Sequence, residues 1–145
     1  MRLSENFTYE ELTFSSTALV HGINNTPSVE VAERLLALAW NLESIRKTLG
    51  QPIRIDSGYR SPALNQIVRG AATSAHVTGY AADFICPAFG SPADIVKAIR
   101  AETSIKFDQL IQEGTWVHVS FAPTLRGEVL TARFADGKAT YTRGA

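Results

Sequence analysis

The chain has 145 residues, 45% of them apolar, and its 14 basic and 14 acidic residues cancel to a formal net charge of zero. This length and composition predict a single domain, residues 1–145, with an ordinary apolar core. No run of basic residues occurs, so the pattern of a nucleic-acid-binding protein is missing.

The first predicted element is a long helix that begins at Thr26-Pro27 and ends before Gly50. Its apolar positions recur at helical spacing: Val31, Leu35, Leu38, Leu42, Ile45 and Leu49. A strand over 53–57 follows, and Ser61-Pro62 then opens a second helix that runs to about Val68. Residues 70–79 are small and polar, and we expect a loop there.

The second half alternates strands with one further helix. Residues 81–86 predict a buried strand, in which Cys86, the single cysteine, is a small buried side chain that excludes an internal disulfide. Ser91-Pro92 starts a third helix with inward apolar side chains at Ile95, Val96 and Ile99. A final hairpin over 130–141, turning at Asp136-Gly137, closes the domain and carries no obvious chemistry.

Between that helix and that hairpin, Gly114-Thr115 predicts a type II′ turn joining strands 107–113 and 116–121. This turn pairs Glu113 with Trp116 and Ile111 with His118. Because side chains alternate between faces, Glu113, Trp116 and His118 share one face, and the apolar residues Val117, Val119, Phe121 and Leu110 share the other. Glu113 and His118 then stand as diagonal neighbours, their β-carbons about 7 Å or less apart.

Two imidazoles and a carboxylate in this sequence predict a zinc site. His76 precedes a buried strand, Asp83 lies within that strand, and His118 lies on the polar face of the hairpin. A carboxylate inside an apolar strand is costly unless a positive or hydrogen-bonding partner meets it, and a divalent cation is the strongest such partner. The alternative is a structural polar cluster without metal. We exclude His21, a lone loop histidine, from the site.

The pattern Ser-x-His-x-x-Gly-x-Ala-x-Asp, starting at Ser74 and followed downstream by Glu113, Trp116 and His118, resembles a family of zinc peptidoglycan hydrolases. These are the zinc D-Ala-D-Ala carboxypeptidases and L-alanyl-D-glutamate endopeptidases, which include phage endolysins. The resemblance extends to residues 6–8, 11–12, 25–28, 57–61, 64–65 and 107–111. It implies an α+β fold of the hedgehog/DD-peptidase-like zinc peptidase type, with a small antiparallel sheet flanked by helices.

Carried over position by position, the resemblance implies that His76, Asp83 and His118 ligate Zn²⁺, that Glu113 is the catalytic base, and that Arg60 meets substrate charge. In several members the glutamate precedes the last histidine by three residues, whereas here it precedes it by five. The hairpin geometry still places both side chains on one face.

Three further residues are candidates for supporting roles. Ser74 would orient Asp83 or His76 from behind, and Trp116 and Tyr80 would line the substrate cleft. Plain packing is the alternative for each of them, and a surface ion pair is the alternative for Arg60.

The implied activity is hydrolysis of a peptide bond in the peptidoglycan stem peptide, D-Ala-D-Ala or L-Ala-D-Glu, by a monomer. The first ten residues lack the apolar segment of a signal peptide, and no apolar run of about eighteen residues predicts membrane insertion. We therefore expect a phage or prophage endolysin made in the cytoplasm, which reaches the cell wall after holin-type release or as a virion component.

The sequence leaves two alternatives to this activity. One is a non-catalytic zinc-stabilised structural or binding module of the same fold, although such a site needs neither a glutamate base nor an arginine and usually has a fourth protein ligand. A serine hydrolase is the other, and the sequence has no Gly-x-Ser-x-Gly nucleophile turn to support it.

Overall fold

The computed structural model describes residues 1–144, which form an α+β fold. The helices are α1 (Tyr9–Thr13), α2 (Ser16–Val20), α3 (Val29–Leu49), α4 (Pro62–Ile67), α5 (Ala75–Thr78) and α6 (Pro92–Ala101). The strands are β1 (Arg54–Ser57), β2 (Ala81–Ile85), β3 (Gln109–Glu113), β4 (Trp116–Ser120), β5 (Glu128–Ala135) and β6 (Lys138–Arg143). Across these residues, no helix combines the length and apolar character needed to cross a membrane.

The six strands form one sheet in the order β1-β2-β4-β3-β5-β6. The prediction of an antiparallel sheet is wrong at one pair, because β5 runs parallel to β3. After β4 the chain passes around the beginning of β3, where the N–H groups of Gly127 and Glu128 donate to the carbonyls of Phe107 and Asp108. This route brings β5 to the far side of β3 in the same direction as β3, so the sheet is mixed.

One face of the sheet forms the core. Its side chains, all fully buried, come from the three central strands: Ala82, Phe84, Leu110, Val117 and Val119. The long helix α3 and the amphipathic helix α6 contribute the facing apolar side chains: Leu35, Leu38, Leu42, Ile45, Ile95, Val96 and Ile99. The two helices therefore pack on this face of the sheet, and polar groups such as Asp83 and His118 lie on the opposite face.

Helix α3 begins later than predicted. Ser28, not Thr26, is its N-cap, since the Ser28 hydroxyl accepts a hydrogen bond from the Val31 N–H at 3.2 Å. Thr26 instead donates its N–H to the Asn24 side chain at 2.9 Å, in a turn that precedes the helix. The predicted end is confirmed, because Gly50 terminates the helix in the left-handed conformation with φ +66°.

Three short helices were missed. The stretch 70–79 contains α5, whose N-cap is Ser74 and whose C-cap is Gly79, at φ +83°. Near the start of the chain, Thr8 and Glu11 form a capping box that opens α1, and Ser15 caps α2. The Thr8-x-x-Glu11 spacing is a sequence signal for such a start.

The two predicted hairpins are present. β3 and β4 pair with the expected register, Ile111 opposite His118 and Glu113 opposite Trp116. Gly114 has a positive φ of 66° and Thr115 does not, as a type II′ turn requires. Cys86 is buried, as expected from its apolar neighbours.

Candidate metal centre and active site

Three elements bring the candidate zinc ligands together. His76 lies on α5, where its side chain is almost wholly buried. Asp83 and His118 lie on β2 and β4 and are direct cross-strand partners on the outer face of the sheet. One ligand atom from each residue falls within 4.8 Å of the others, so the structure assembles the predicted trio.

A single carboxylate oxygen links both imidazoles. Asp83 Oδ1 lies 3.1 Å from His76 Nε2 and 2.9 Å from His118 Nδ1. The two rings stand edge to face with centroids 5.1 Å apart. Two nitrogens and one oxygen converging on one point form the donor set of a catalytic zinc site with an open position.

The hydrogen bonding of His76 shows that this donor set fits a cation. Its Nδ1 lies 2.7 Å from the Gly58 carbonyl oxygen, an acceptor, and so must carry the proton. In a neutral imidazole Nε2 is then unprotonated, so two hydrogen-bond acceptors, Nε2 and the Asp83 oxygen, face each other. A metal ion or an extra proton resolves this contact, and a carbonyl that fixes the tautomer is the usual partner of a zinc-binding histidine.

Asp83 is ionised in this setting. Burial alone would raise the pKa of its carboxyl, but the charges and hydrogen bonds of His76 and His118 outweigh burial and hold that pKa well below its ordinary value. The trio therefore presents a carboxylate anion to a metal across the neutral pH range.

Glu113 lies half-buried at the end of β3, next to the trio. Burial raises the pKa of its carboxyl, and so does the negative charge of Asp83. The positive charges of His118 and Arg60 oppose these effects, but the net shift of the pKa is upward. A carboxylate with a raised pKa is a stronger base, which is the property that proton abstraction from water requires.

Arg60 reaches the same site from the segment after β1. Burial lowers the pKa of its guanidinium, while the charges of Asp83 and Glu113 raise it, so this cation lies close to both carboxylates. Within residues 1–144 its buried Nε has no hydrogen-bond partner, and its Nη2 is 3.5 Å from the Ser74 hydroxyl. The residue also lines a cleft that contains Asp83, so a substrate in that cleft would contact it.

Asn25 holds the backbone that carries Arg60, and sequence reasoning gave it no role. Its amide donates to the carbonyls of Thr13 and Tyr59 at 2.9 and 3.1 Å and accepts the Ser61 N–H at 2.7 Å. The Arg60 N–H donates to the His76 carbonyl at 3.1 Å. Asn25 lies in the stretch 25–28 that resembles the family, but a polar residue there does not indicate partners 34 and 36 residues away along the chain.

Ser74 acts on the backbone of His76. Its hydroxyl accepts the His76 N–H at 3.2 Å and caps α5, and its bonds go to neither the His76 ring nor Asp83. The serine therefore fixes the helix turn that carries the ligand.

The two predicted cleft aromatics have other contacts. The Tyr80 ring lies under the Arg34 guanidinium, 4.9 Å away, and Trp116 packs against Phe134 with centroids 6.4 Å apart. A cleft next to the trio is lined by Asp83 and Arg60 together with residues of α2, β1 and α4, and neither aromatic is in its lining. Their substrate-binding role stays a prediction. His21 is exposed and outside the trio.

Comparison with known proteins shows the family of this chain. A family sequence profile described as Peptidase M15 matches residues 5–120, a range that contains all three candidate ligands, Glu113 and Arg60. The chain is also 34% identical over 79 residues to a zinc D-Ala-D-Ala carboxypeptidase of Streptomyces albus G. That match covers 54% of the chain but only 30% of the relative. On the extent of the family match, the chain belongs to the peptidase M15 family.

Proposed function

We propose that this peptidase is a zinc enzyme that hydrolyses a peptide bond in the stem peptide of peptidoglycan. The observation that carries the proposal is the convergence of His76, Asp83 and His118 beside a half-buried glutamate and an arginine that lines the same cleft as Asp83. The activity in the name of the Streptomyces relative supports the substrate class.

His76 Nε2, Asp83 Oδ1 and His118 Nδ1 would hold the metal. When bound, zinc supplies Lewis-acid chemistry, polarising a carbonyl and lowering the pKa of a bound water to roughly 7. The Gly58 carbonyl keeps the His76 ring oriented, and the β2–β4 pairing keeps Asp83 next to His118.

Glu113 would move the proton. In its ionised form it takes a proton from the attacking water and passes it to the leaving amine, so that the amine departs neutral. General acid–base catalysis of this kind contributes about 10²–10⁴ in rate. The raised pKa of Glu113 suits both halves of this transfer.

Arg60 would position the substrate. Its guanidinium lies near Asp83 and Glu113 and lines the cleft beside them, so it meets a substrate carboxylate at the reacting bond. A planar fork binds a carboxylate through two hydrogen bonds and fixes its orientation.

The bond that is cut is D-Ala-D-Ala or L-Ala-D-Glu in this proposal, and the chain acts as a monomer. We also propose the biological setting expected from the resemblance, a phage or prophage endolysin that reaches the wall after holin-type release or as part of a virion. The family membership supports the peptidase activity, and the resemblance of the sequence motifs supports the lytic role.

Digestion of purified peptidoglycan tests the proposal. The zinc-loaded protein should release fragments with new amino and carboxyl termini, and mass spectrometry of these fragments identifies the bond. A chelator should abolish release and added zinc restore it, while Glu113→Gln should fold and take up zinc but release little. Zinc uptake without cleavage of any peptidoglycan would instead favour a non-catalytic zinc-stabilised module.

A further inference from the structure

The final hairpin, β5–β6, lies beyond the residues that the family profile matches, and no motif in its sequence indicates chemistry. In the structure it extends the sheet on the side where β3 carries Glu113. Its tip reaches back over the β3–β4 turn, because the Phe134 ring packs on Trp116 and lies close to Gly114. The hairpin is therefore a neighbour of the candidate active site.

The strand register puts Tyr141 on the same face as that site. Tyr141 pairs with Ala132, and Gln112 pairs with Thr131, so Ala132 is the next position beside Glu113. Paired residues point to the same face of a sheet, so Glu113, Ala132 and Tyr141 form one row across three strands. Because the residue between them is an alanine, the long tyrosine side chain has room to lean across β5 toward Glu113.

The electrostatics of the phenol agree with this placement. Burial, and after it the charges of Glu113 and Asp83, raise the pKa of Tyr141 above its ordinary value of 10.0. Both site carboxylates are thus close enough to act on the phenol, which keeps its proton at neutral pH. Half of the side chain is exposed.

We propose that the Tyr141 hydroxyl donates a hydrogen bond to the scissile carbonyl oxygen as negative charge develops there. This inference rests on the proposed function. The proton stays on the phenol and no covalent bond forms. Tyr141 therefore acts as a hydrogen-bond donor, whereas Glu113 acts as a proton acceptor. A fixed donor aimed at developing charge stabilises the transition state more than the ground state.

The test compares Tyr141→Phe with Thr140→Val, a matched loss of one hydroxyl from the neighbouring residue of β6. The Thr140 hydroxyl lies 3.5 Å from the Arg133 carbonyl, and its side chain points to the opposite face of the sheet. Phenylalanine keeps the ring and removes only the hydroxyl, so both variants should match the wild type in zinc content and thermal unfolding.

The first readout needs no catalysis. Calorimetric titration of the zinc-loaded proteins with acetohydroxamate, whose oxygens occupy the position of a polarised carbonyl, should give a Kd about tenfold higher for Tyr141→Phe. Thr140→Val should bind as the wild type does. Equal affinities for all three proteins would overturn the inference and leave the proposed function standing.

The second readout is hydrolysis of peptidoglycan peptides. For Tyr141→Phe, kcat should fall at least about tenfold with KM little changed, since the bond is made in the transition state. An unchanged kcat would overturn the inference. A wild type that cleaves no peptidoglycan, together with the tenfold difference in acetohydroxamate affinity, would refute the proposed substrate and keep Tyr141 in the site.

Discussion

The Gly58 carbonyl oxygen lies 2.7 Å from His76 Nδ1 and holds the imidazole of a candidate zinc ligand in one tautomer. Gly58 itself is packed against α1, since an added β-carbon would lie 2.3 Å from the Leu12 carbonyl oxygen. We expect Gly58→Ala to push the end of β1 away from α1 and misplace this carbonyl. Zinc affinity should fall by about ten- to hundredfold, the usual cost of losing such a partner. Competition with a chromogenic chelator measures it, and wild-type affinity would show that the backbone adjusts.

Removal of a ligand should have a larger effect. His76→Ala and His118→Ala each take away one of three protein ligands, so purified protein that otherwise carries about one zinc per chain should lose it. His21→Ala is the matched control, because His21 is exposed and outside the trio. Metal analysis after zinc-supplemented purification decides the matter. A wild type without zinc would contradict the site.

Glu113→Gln separates the base from the ligands. The variant should bind zinc and fold normally while hydrolysis falls by at least about a hundredfold. Loss of zinc would instead make Glu113 a ligand, and near-normal turnover would place the base elsewhere.

The activity of the wild type should also depend on pH through Glu113. The base must be ionised, and burial raises its pKa above the ordinary 4.5. The acid limb of kcat/KM should therefore follow the protonation of Glu113, with activity lost as pH falls through its pKa, which burial raises and the charge of a bound zinc lowers. A profile of zinc-saturated enzyme, with zinc content checked at each pH, measures this limb. Activity that does not fall in acid, with zinc retained, would contradict the assignment.

Arg60→Lys tests the substrate clamp. The variant should keep zinc and thermal stability but lose much of kcat/KM, because an ammonium does not reproduce the two parallel bonds of a guanidinium. Arg133→Lys, an exposed change on β5, should leave hydrolysis as it is. If the Arg60 variant also hydrolyses peptidoglycan peptides normally, Arg60 does not bind substrate and leaves the site.

Asp108 should control the stability of the segment between β4 and β5. Its buried carboxylate accepts from Arg126 Nε and Nη2, both at 2.9 Å, and from the Thr124 hydroxyl at 2.6 Å. Asp108→Asn should lower the free energy of unfolding by on the order of 2 kcal/mol, as hydrogen bonds to a charged group are lost. Urea unfolding measures it, and an unchanged midpoint would mean that the pair contributes nothing.

The Asp108 pair also has a predicted pH dependence. The hydrogen bonds from Arg126 hold the pKa of Asp108 well below its ordinary value of 3.8. A lowered folded-state pKa contributes stability above the ordinary pKa, which is lost as pH falls below it. Wild type and Asp108→Asn should therefore converge in stability in acid, and a difference that stays constant to low pH would contradict this origin.

The features that the sequence predicts correctly are those with a local signal. The register that sets Glu113 opposite Trp116 follows from a two-residue turn, and the start of α4 follows from Ser61-Pro62. The sequence also predicts that His76, Asp83 and His118 form one site, because two imidazoles and a carboxylate are the ligand types of a zinc site. The structure adds that they lie within reach of one another.

The features that the sequence does not predict depend mostly on contacts between residues far apart in the chain. The parallel pairing of β3 and β5 arises where the chain rounds the start of β3, and no periodicity within 128–135 records that contact. Tyr141 falls in the same row of the sheet as Glu113 only because of that pairing. The sequence of the final hairpin alone therefore does not predict this relationship. Helix α5 is a single turn with a serine cap and a glycine end, too short to show a helical period.

The three ligands come from α5, β2 and β4, elements that the chain reaches at positions 76, 83 and 118. A metal held by all three is a cross-link between two neighbouring strands and the short helix, and it exists only in the folded chain. Thermodynamic linkage then makes stability a function of free zinc, with a gain of about 2.7 kcal/mol at one hundred times the Kd. Chelation should loosen α5 and expose 70–80 to proteases, so the resistance of the protein to digestion reports how much metal it carries.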